Sequence, residues 1–290
     1  MALNTNGVTK MATTHKENNE IKPSDLDRNN ITFKDGEEGR VYYDSASELI
    51  CPSVTTVTHQ RVDPDKEAAL EGWRSRYDGS SEYCSPHWEE QMKYKGWRGT
   101  LAHYNCLSPL GDTSAGVESY HDAVGDERGM EEYEAEYKLK TYGEYDGDDA
   151  WNSAMREIHW VYNKFFDDVA PDLGISQEST IDVERYALDT TYGYAGQFDL
   201  LYENPDGDTV LADLKTSSGI REDYKLQLAA YAKAIDEDVD TLQVIRIYPD
   251  KKEVEVQTNE DWSRSIDSYY EQFLGLVYKT LSSVPDDYFD

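Results

Sequence analysis

Cysteine is scarce in this chain of 290 residues, with Cys51, Cys84 and Cys106 as the full complement. Three scattered thiols cannot build the disulfide framework of a small secreted scaffold. Long apolar runs are missing too, so no segment reads as a membrane-spanning helix, and the start of the chain has no secretory leader pattern. These absences predict an intracellular, cytoplasmic and soluble protein with no membrane partner. Cations are also few: 28 Lys and Arg stand against 59 Asp and Glu, a formal net charge of -31.

The length supports one substantial domain with additions, or two small ones. Residues 1–30 are polar and aperiodic and read as a disordered tail. Residues 31–107 read as a hairpin from Ile31 to Leu49, followed by helices that start at Asp63-Pro64, running to Tyr77, and at Ser85-Pro86. In residues 108–149 Gly, Ser, Asp and Glu dominate, with an acidic stretch at Glu131 to Glu136, which predicts an acidic insertion or a lid. Residues 150–290 read as the core. A helix over Asp149 to Val169 carries Trp151, Ala154, Ile158, Val161, Tyr162 and Phe165 on one stripe. Strands follow over Ser179 to Asp189, Thr241 to Tyr248 and Glu253 to Gln257, and a closing helix covers Trp262 to Leu281.

The centre of the chain is Gly193 to Tyr231. Asn204-Pro-Asp-Gly-Asp208 is a cluster of turn formers between two apolar runs of strand length, which predicts a β-hairpin. A hairpin centred near Asp206 sets Asp199 opposite Asp213. Two like charges facing each other across strands are unfavourable, and a divalent cation between them reverses the sign. Lys215 lies two residues beyond Asp213, on the same face of the strand. In the helix that should follow, Gln227 and Tyr231 are four apart and share a face.

With Cys51-Pro-Ser-Val-Thr-Thr-Val57, Arg98-Gly-Thr-Leu-Ala-His103, Gly193-Tyr-Ala-Gly-Gln-Phe-Asp-Leu-Leu201, Asp213-Leu-Lys-Thr216 and Gln227-Leu-Ala-Ala-Tyr231, the sequence resembles the PD-(D/E)xK nuclease superfamily. The likeness is closest to its RecB-like exonuclease branch, which includes phage and viral exonucleases and the mitochondrial genome maintenance exonuclease. It covers about Val41 to Ile247, with a divergent middle. The resemblance implies an α/β fold with a restriction-endonuclease-like core, a mixed central β-sheet flanked by helices, and a helical N-terminal part. It also implies an exonuclease that hydrolyses DNA phosphodiester bonds with Mg2+ or Mn2+. The implied metal set is His103, Asp199, Asp213 and the Leu214 carbonyl. Lys215, with Asp199, Asp213, Gln227 and Tyr231, completes the implied catalytic set. Glu184, at a position where many relatives carry a glutamate, reads as a further ligand, an orienting carboxylate or a strand-edge charge. Some relatives carry an iron-sulfur cluster on four cysteines, but the stretch after Lys215 has none, so no cluster is expected.

DNA is the expected partner. The candidate contacts are Ser53, Thr55, Lys93, Lys95, Trp97, Arg98, Thr216 and Tyr231. Cations and aromatic rings interleave in Trp73-Arg-Ser-Arg-Tyr77 and in Lys93-Tyr-Lys-Gly-Trp-Arg98, a pattern that grips single strands. Both tryptophans also suit core positions beside paired cations, and Ser53 also suits a helix cap. The acidity runs against DNA binding unless the working solution is salty, because at about 1 M salt the Debye length falls to roughly 3 Å. A halophilic, viral or archaeal setting is the resulting expectation. A catalytically inactive nucleic-acid-binding or scaffold protein on the same fold is the alternative.

Overall fold

The structure is a computed structural model, and it describes residues 31–36, 39–45, 48–75, 88–111 and 147–283. The expected tail, the Ser85-Pro86 helix start, the acidic stretch at Glu131 to Glu136 and most of the expected insertion lie outside those residues.

A three-stranded antiparallel sheet comes first: β1 (Ile31–Gly36), β2 (Gly39–Asp44) and β3 (Leu49–Pro52), in the order β1-β2-β3. The chain then enters α1 (Val54–His59), α2 (Pro64–Arg74) and α3 (Trp88–Leu107). Asp63 caps α2 by accepting from the Lys66 N–H at 3.1 Å, with Pro64 in the first turn, as the sequence predicts.

Next comes α4 (Gly147–Lys164), which passes through a π turn at Phe165–Val169 into α5 (Ala170–Leu173). Ile158, Val161 and Phe165 of the expected stripe are buried, so that face is core. Then follow β4 (Thr180–Asp189), β5 (Tyr194–Glu203), β6 (Thr209–Lys215), α6 (Glu222–Ala234), β7 (Thr241–Tyr248), β8 (Glu253–Thr258) and α7 (Ile266–Ser283). The closing helix starts later than Trp262. Thr258 and Asp261 form a reciprocal cap around a short 3-10 turn at Asn259–Asp261, and that turn ends before Trp262.

The second sheet has five strands in the order β4-β5-β6-β7-β8. Only β6 and β7 run parallel; the other neighbours are antiparallel. The parallel pair needs a crossover, and α6 supplies it. The protein is therefore an α/β fold, a five-stranded mixed sheet with helices on both faces. One apolar core joins Val54 and Val57 of α1 with Leu226, Ala229 and Ala230 of α6 and Phe273 and Val277 of α7. A second joins Ala102, Cys106 and Leu107 of α3 with Val161, Phe165, Leu200 and Ile245, and a smaller third seats Tyr42 and Cys51 of the first sheet on Leu188 and Ala195. The N-terminal helices are thus layers of the same body as the sheet, packed against its two faces.

The turn between β5 and β6 explains the pairing. The Asn204 side-chain oxygen accepts from the Asp206 N–H at 3.0 Å and the Asp208 N–H at 2.8 Å. Gly207 takes φ +87, a left-handed conformation that glycine adopts without a Cβ penalty. This local closure fixes Glu203 against Thr209 and Leu200 against Ala212, the register the turn residues predict.

Candidate metal centre and adjoining cleft

Strand register builds the site. Val183 pairs with Leu200 and Arg185 with Phe198, which sets Glu184 opposite Asp199. Leu200 pairs with Ala212, so the next position along sets Asp199 opposite Asp213. Three acids from three adjacent strands therefore stand in one row, and they are only 9%, 9% and 2% exposed in that order. Carboxylates that deep require partners.

Two strands change faces at this row. Val183 and Leu200 belong to the core under α3 and α4, whereas Ala187 and Phe198 belong to the core under α6 and α7. Strict alternation would keep Val183 and Ala187 on one side. The irregularity coincides with Glu184 at φ +51, a conformation costly for a residue with a Cβ. Such strain persists where the surroundings over-determine it, and it collects at functional sites.

The Asp199 carboxylate accepts from the Leu214 N–H at 2.7 Å, and the same Oδ2 lies 3.5 Å from His103 Nδ1. His103, Glu184 and Asp199 bring one donor atom each to within 4.8 Å of one another. Glu184, read from sequence as either a ligand or an edge charge, thus stands in this trio. Asp213 is oriented differently. Its Oδ1 receives the Lys215 ammonium at 2.6 Å, and its Oδ2 is buried with no hydrogen-bond partner among the described residues.

The electrostatics follow from burial. Burial pushes the Asp213 carboxyl up to about 7, Asp199 adds to the rise, and Lys215 opposes it. Burial also works against the charge on Lys215, but Asp213 and Asp199 outweigh it and hold the ammonium above its ordinary range. Burial lowers the His103 pKa; Asp199 and a hydrogen bond with the Leu214 backbone offset part of that shift, while Lys215 adds to it. The imidazole is therefore neutral near pH 7 with a lone pair to offer, as metal ligation requires. A buried oxygen lacking a donor, a neutral imidazole and two converging carboxylates form a donor set suited to a divalent cation.

α6 faces the row from the side of β5. The Gln227 side-chain amide donates to Tyr231 Oη at 3.1 Å and to Thr55 Oγ1 at 3.4 Å. Tyr231 is buried against Gly196, where an added Cβ would come within 2.6 Å of its Cε1 atom. The sequence pair Gln227 and Tyr231 therefore does share a face, joined to α1 through the exposed Thr55.

Two proposed DNA contacts are corrected. Ser53 is buried and caps α1, accepting from the Thr56 N–H at 2.9 Å, so its hydroxyl is spent on the cap. Arg98 is 2% exposed and pairs with Glu157 at 2.7 Å and with Asp250, which makes it an internal tie between α3, α4 and the β7–β8 turn. Lys95 lies 3.6 Å from Asp250, with its ammonium 5.8 Å from the Trp73 ring centroid. Lys93 and Trp97 are on α3, and their side chains lie outside the described residues.

Beside the row opens a cleft of about 1010 Å3. His103, Glu184, Lys215, Thr216, Lys95 and Trp73 are among its lining groups. Sequence reasoning missed two neighbours. Tyr224 carries Lys215 Nζ 5.1 Å from its ring centroid and Arg221 Cζ 4.9 Å from the same centroid. The legible signal was an arginine at the end of the Thr-Ser-Ser-Gly-Ile loop, three residues before an aromatic in the first turn of a helix.

No protein-family model matches the chain, and no curated protein matches it. A solved chain titled "Crystal structure of SSO0001" is similar at a TM-score of 0.30 and 11% identity, covering 78% of this chain and 90% of that one. A likeness of that size carries no argument about fold or function. Among the described residues, no helix is long and apolar enough to cross a membrane.

Proposed function

We propose that the protein is a metal-dependent deoxyribonuclease of the PD-(D/E)xK kind, with a restriction-endonuclease-like core and Mg2+ or Mn2+ as its ion. By its RecB-like resemblance it acts as an exonuclease on single-stranded or end-frayed DNA, in replication, recombination or repair. The observation that carries this reading is the buried row Glu184, Asp199 and Asp213, closed by His103 on one side and Lys215 on the other.

Asp199, Glu184 and His103 would hold the ion, with Asp213 beside them tied to Lys215. A bound Mg2+ or Mn2+ supplies an acidified water and neutralises charge on the phosphate. Without a metal, Asp213 and Asp199 hold the Lys215 ammonium above its ordinary range, so it stands in the site as a fixed cation and hydrogen-bond donor. An ammonium held at 2.6 Å from Asp213 is preorganised to orient the attacking water and to stabilise the charge that builds as the P–O bond breaks. Gln227 braces α6 against α1 through Thr55 and fixes the Tyr231 hydroxyl. Leu214 donates its N–H to Asp199 and hydrogen-bonds His103 through its backbone, so it orients both partners.

The test uses end-labelled single- and double-stranded linear DNA in molar KCl with Mg2+, Mn2+ or EDTA. Nucleotide release with metal and none with EDTA is expected, and Lys215→Ala should lose cleavage while still binding DNA. Turnover retained in Lys215→Ala would remove that residue from the chemistry. DNA bound but never cut under any metal would leave a nucleic-acid-binding module instead.

A further inference from the structure

The left-handed step at Glu184 is held from the neighbouring strand. On both sides of it the β4–β5 ladder is in register: Val183 pairs with Leu200, Arg185 with Phe198 and Tyr186 with Gln197. Between these pairs Glu184 takes φ +51, a conformation in which the Cβ of an L residue crowds the backbone. The Gln197 side chain reaches back along the ladder, and its Nε2 donates to the Glu184 carbonyl at 2.7 Å. That distance lies at the short end of the N–H···O range.

Conformation and chemistry compete at this position. Glycine would take the step without a Cβ penalty, but it has no carboxylate. Glutamate keeps the strain and brings a donor oxygen to within 4.8 Å of those of His103 and Asp199. A return to the ordinary strand conformation would redirect the Cα–Cβ bond of Glu184 and swing its carboxylate out of the trio. A small divalent ion tolerates little of that, since Mg2+ holds its ligands at about 2.1 Å in near-octahedral geometry.

Gln197 has the properties needed to hold the step. It is half-buried and lines the cleft together with Glu184. Glu184 is buried, so water is a poor substitute for a donor lost at its carbonyl. The amide is uncharged, so it adds neither a competing cation nor a further anion beside the carboxylates. Asp199 stands two residues further along the same strand. β5 thus presents one member of the trio and, next to it, the group that fixes another.

We propose that Gln197 is a positioning residue for the metal centre: by holding the Glu184 carbonyl it keeps the left-handed step closed, and so keeps the Glu184 carboxylate beside Asp199 and His103. This role rests on the metal centre of the nuclease reading and adds to it a residue that does not touch the ion.

The experiment reads metal binding rather than turnover. Mn2+ is titrated calorimetrically into the full chain in molar KCl, where circular dichroism shows it folded and weak binding to the acidic surface is screened. Gln197→Met keeps the side-chain length and lacks the donor. It should weaken the tightest Mn2+ site roughly 10- to 100-fold, the usual cost of losing a group that orients a ligand. Glu184→Gln should weaken the same site by itself. Adding Gln197→Met to Glu184→Gln should then cost less than about threefold more, because the carboxylate that Gln197 positions is gone. Gln197→Thr, a strand former too short to reach the Glu184 carbonyl, takes the place of Gln197→Met if that variant does not fold. Wild-type Mn2+ affinity in Gln197→Met or in Glu184→Gln would overturn the proposal. So would an equal fold-loss from Gln197→Met in both backgrounds, which would mark the bond as a lock of the strand alone. The nuclease reading is scored separately, by Mn2+-dependent release of nucleotides from linear DNA by the wild-type protein. A chain that binds Mn2+ and cuts nothing loses that reading and keeps the Gln197 result, and a wild-type chain without an Mn2+ site overturns both.

Discussion

Asp199 and Asp213 stand opposite each other on neighbouring antiparallel strands, yet they are satisfied differently. Asp199 accepts a backbone N–H from Leu214 at 2.7 Å, whereas Asp213 takes the Lys215 ammonium on one oxygen and leaves the other buried without a donor. The row thus contains one carboxylate anchored by a backbone donor and one with an oxygen that has no donor among the described residues. Like charges opposed across a strand pair repel, and the structure relieves that repulsion through Lys215 and by raising the Asp213 pKa.

Asp213 gives the first prediction. Its folded pKa is raised to about 7 from 3.8, chiefly by burial. The folded state therefore holds this proton more tightly than the unfolded state does, and the resulting stability is complete below about pH 4 and lost as pH rises toward 7. Thermal midpoints of the metal-free protein should fall across that window, and added Mn2+ should recover much of the loss near neutral pH. Asp213→Asn, which cannot ionise, should flatten the pH slope and shrink the gain from Mn2+. A slope identical to wild type would mean that Asp213 is not the titrating group.

Gly196→Ala should disturb the Gln227 and Tyr231 pair with both residues left unchanged in sequence. The new Cβ would lie 2.6 Å from Tyr231 Cε1 and 2.8 Å from its hydroxyl oxygen, and Tyr231 is buried. Overpacking of this sort costs about 1–3 kcal/mol. Urea unfolding should show the shift at unchanged slope, and nuclease activity should fall further than stability alone explains. An unshifted midpoint would show that Tyr231 has room to turn.

Arg98 separates a structural tie from a DNA contact. Removing it takes a buried guanidinium away from the partly exposed Glu157 and Asp250, with Lys95 still 3.6 Å from Asp250, and losing charged hydrogen bonds of this kind costs about 1.5–3 kcal/mol. Arg98→Ala should therefore lower the urea midpoint sharply. If the residue instead contacts DNA, stability is kept and the salt dependence of DNA affinity becomes shallower.

The net charge of -31 predicts salt-dependent folding. Self-repulsion opposes the compact state, and at about 1 M salt it is screened beyond roughly 3 Å. Circular dichroism melts in dilute and in molar KCl should show a higher midpoint in molar KCl. Equal midpoints would remove the case for a halophilic protein.

The hairpin register was legible because a five-residue turn cluster is a local signal, and once Gly207 and Asn204 close it, strand pairing has no freedom left. The α2 cap, the β7 strand at Thr241–Tyr248 and the Gln227–Tyr231 face were legible for the same reason, being set by residues near one another in sequence. The cap, which the sequence also offered for Ser53, and the acid partners of Arg98 could not be told from DNA contacts, because a hydroxyl or a guanidinium in a short window looks alike whatever receives it. The partners of Arg98 are contributed by α4 and by the β7–β8 turn, far along the chain.

The sequence by itself determined the turns, the helix starts, the apolar stripes and the opposition of Asp199 and Asp213, since each depends on backbone chemistry within a few residues. Only the tertiary structure decided that Glu184 enters the row through a left-handed backbone step, that Asp213 keeps one oxygen without a partner among the described residues, and that Lys215 and Arg221 both lie near the Tyr224 ring. Those outcomes depend on how two packed cores meet the sheet from opposite sides, and on the desolvation that packing imposes on charged groups. Neither quantity is carried by any short stretch of residues.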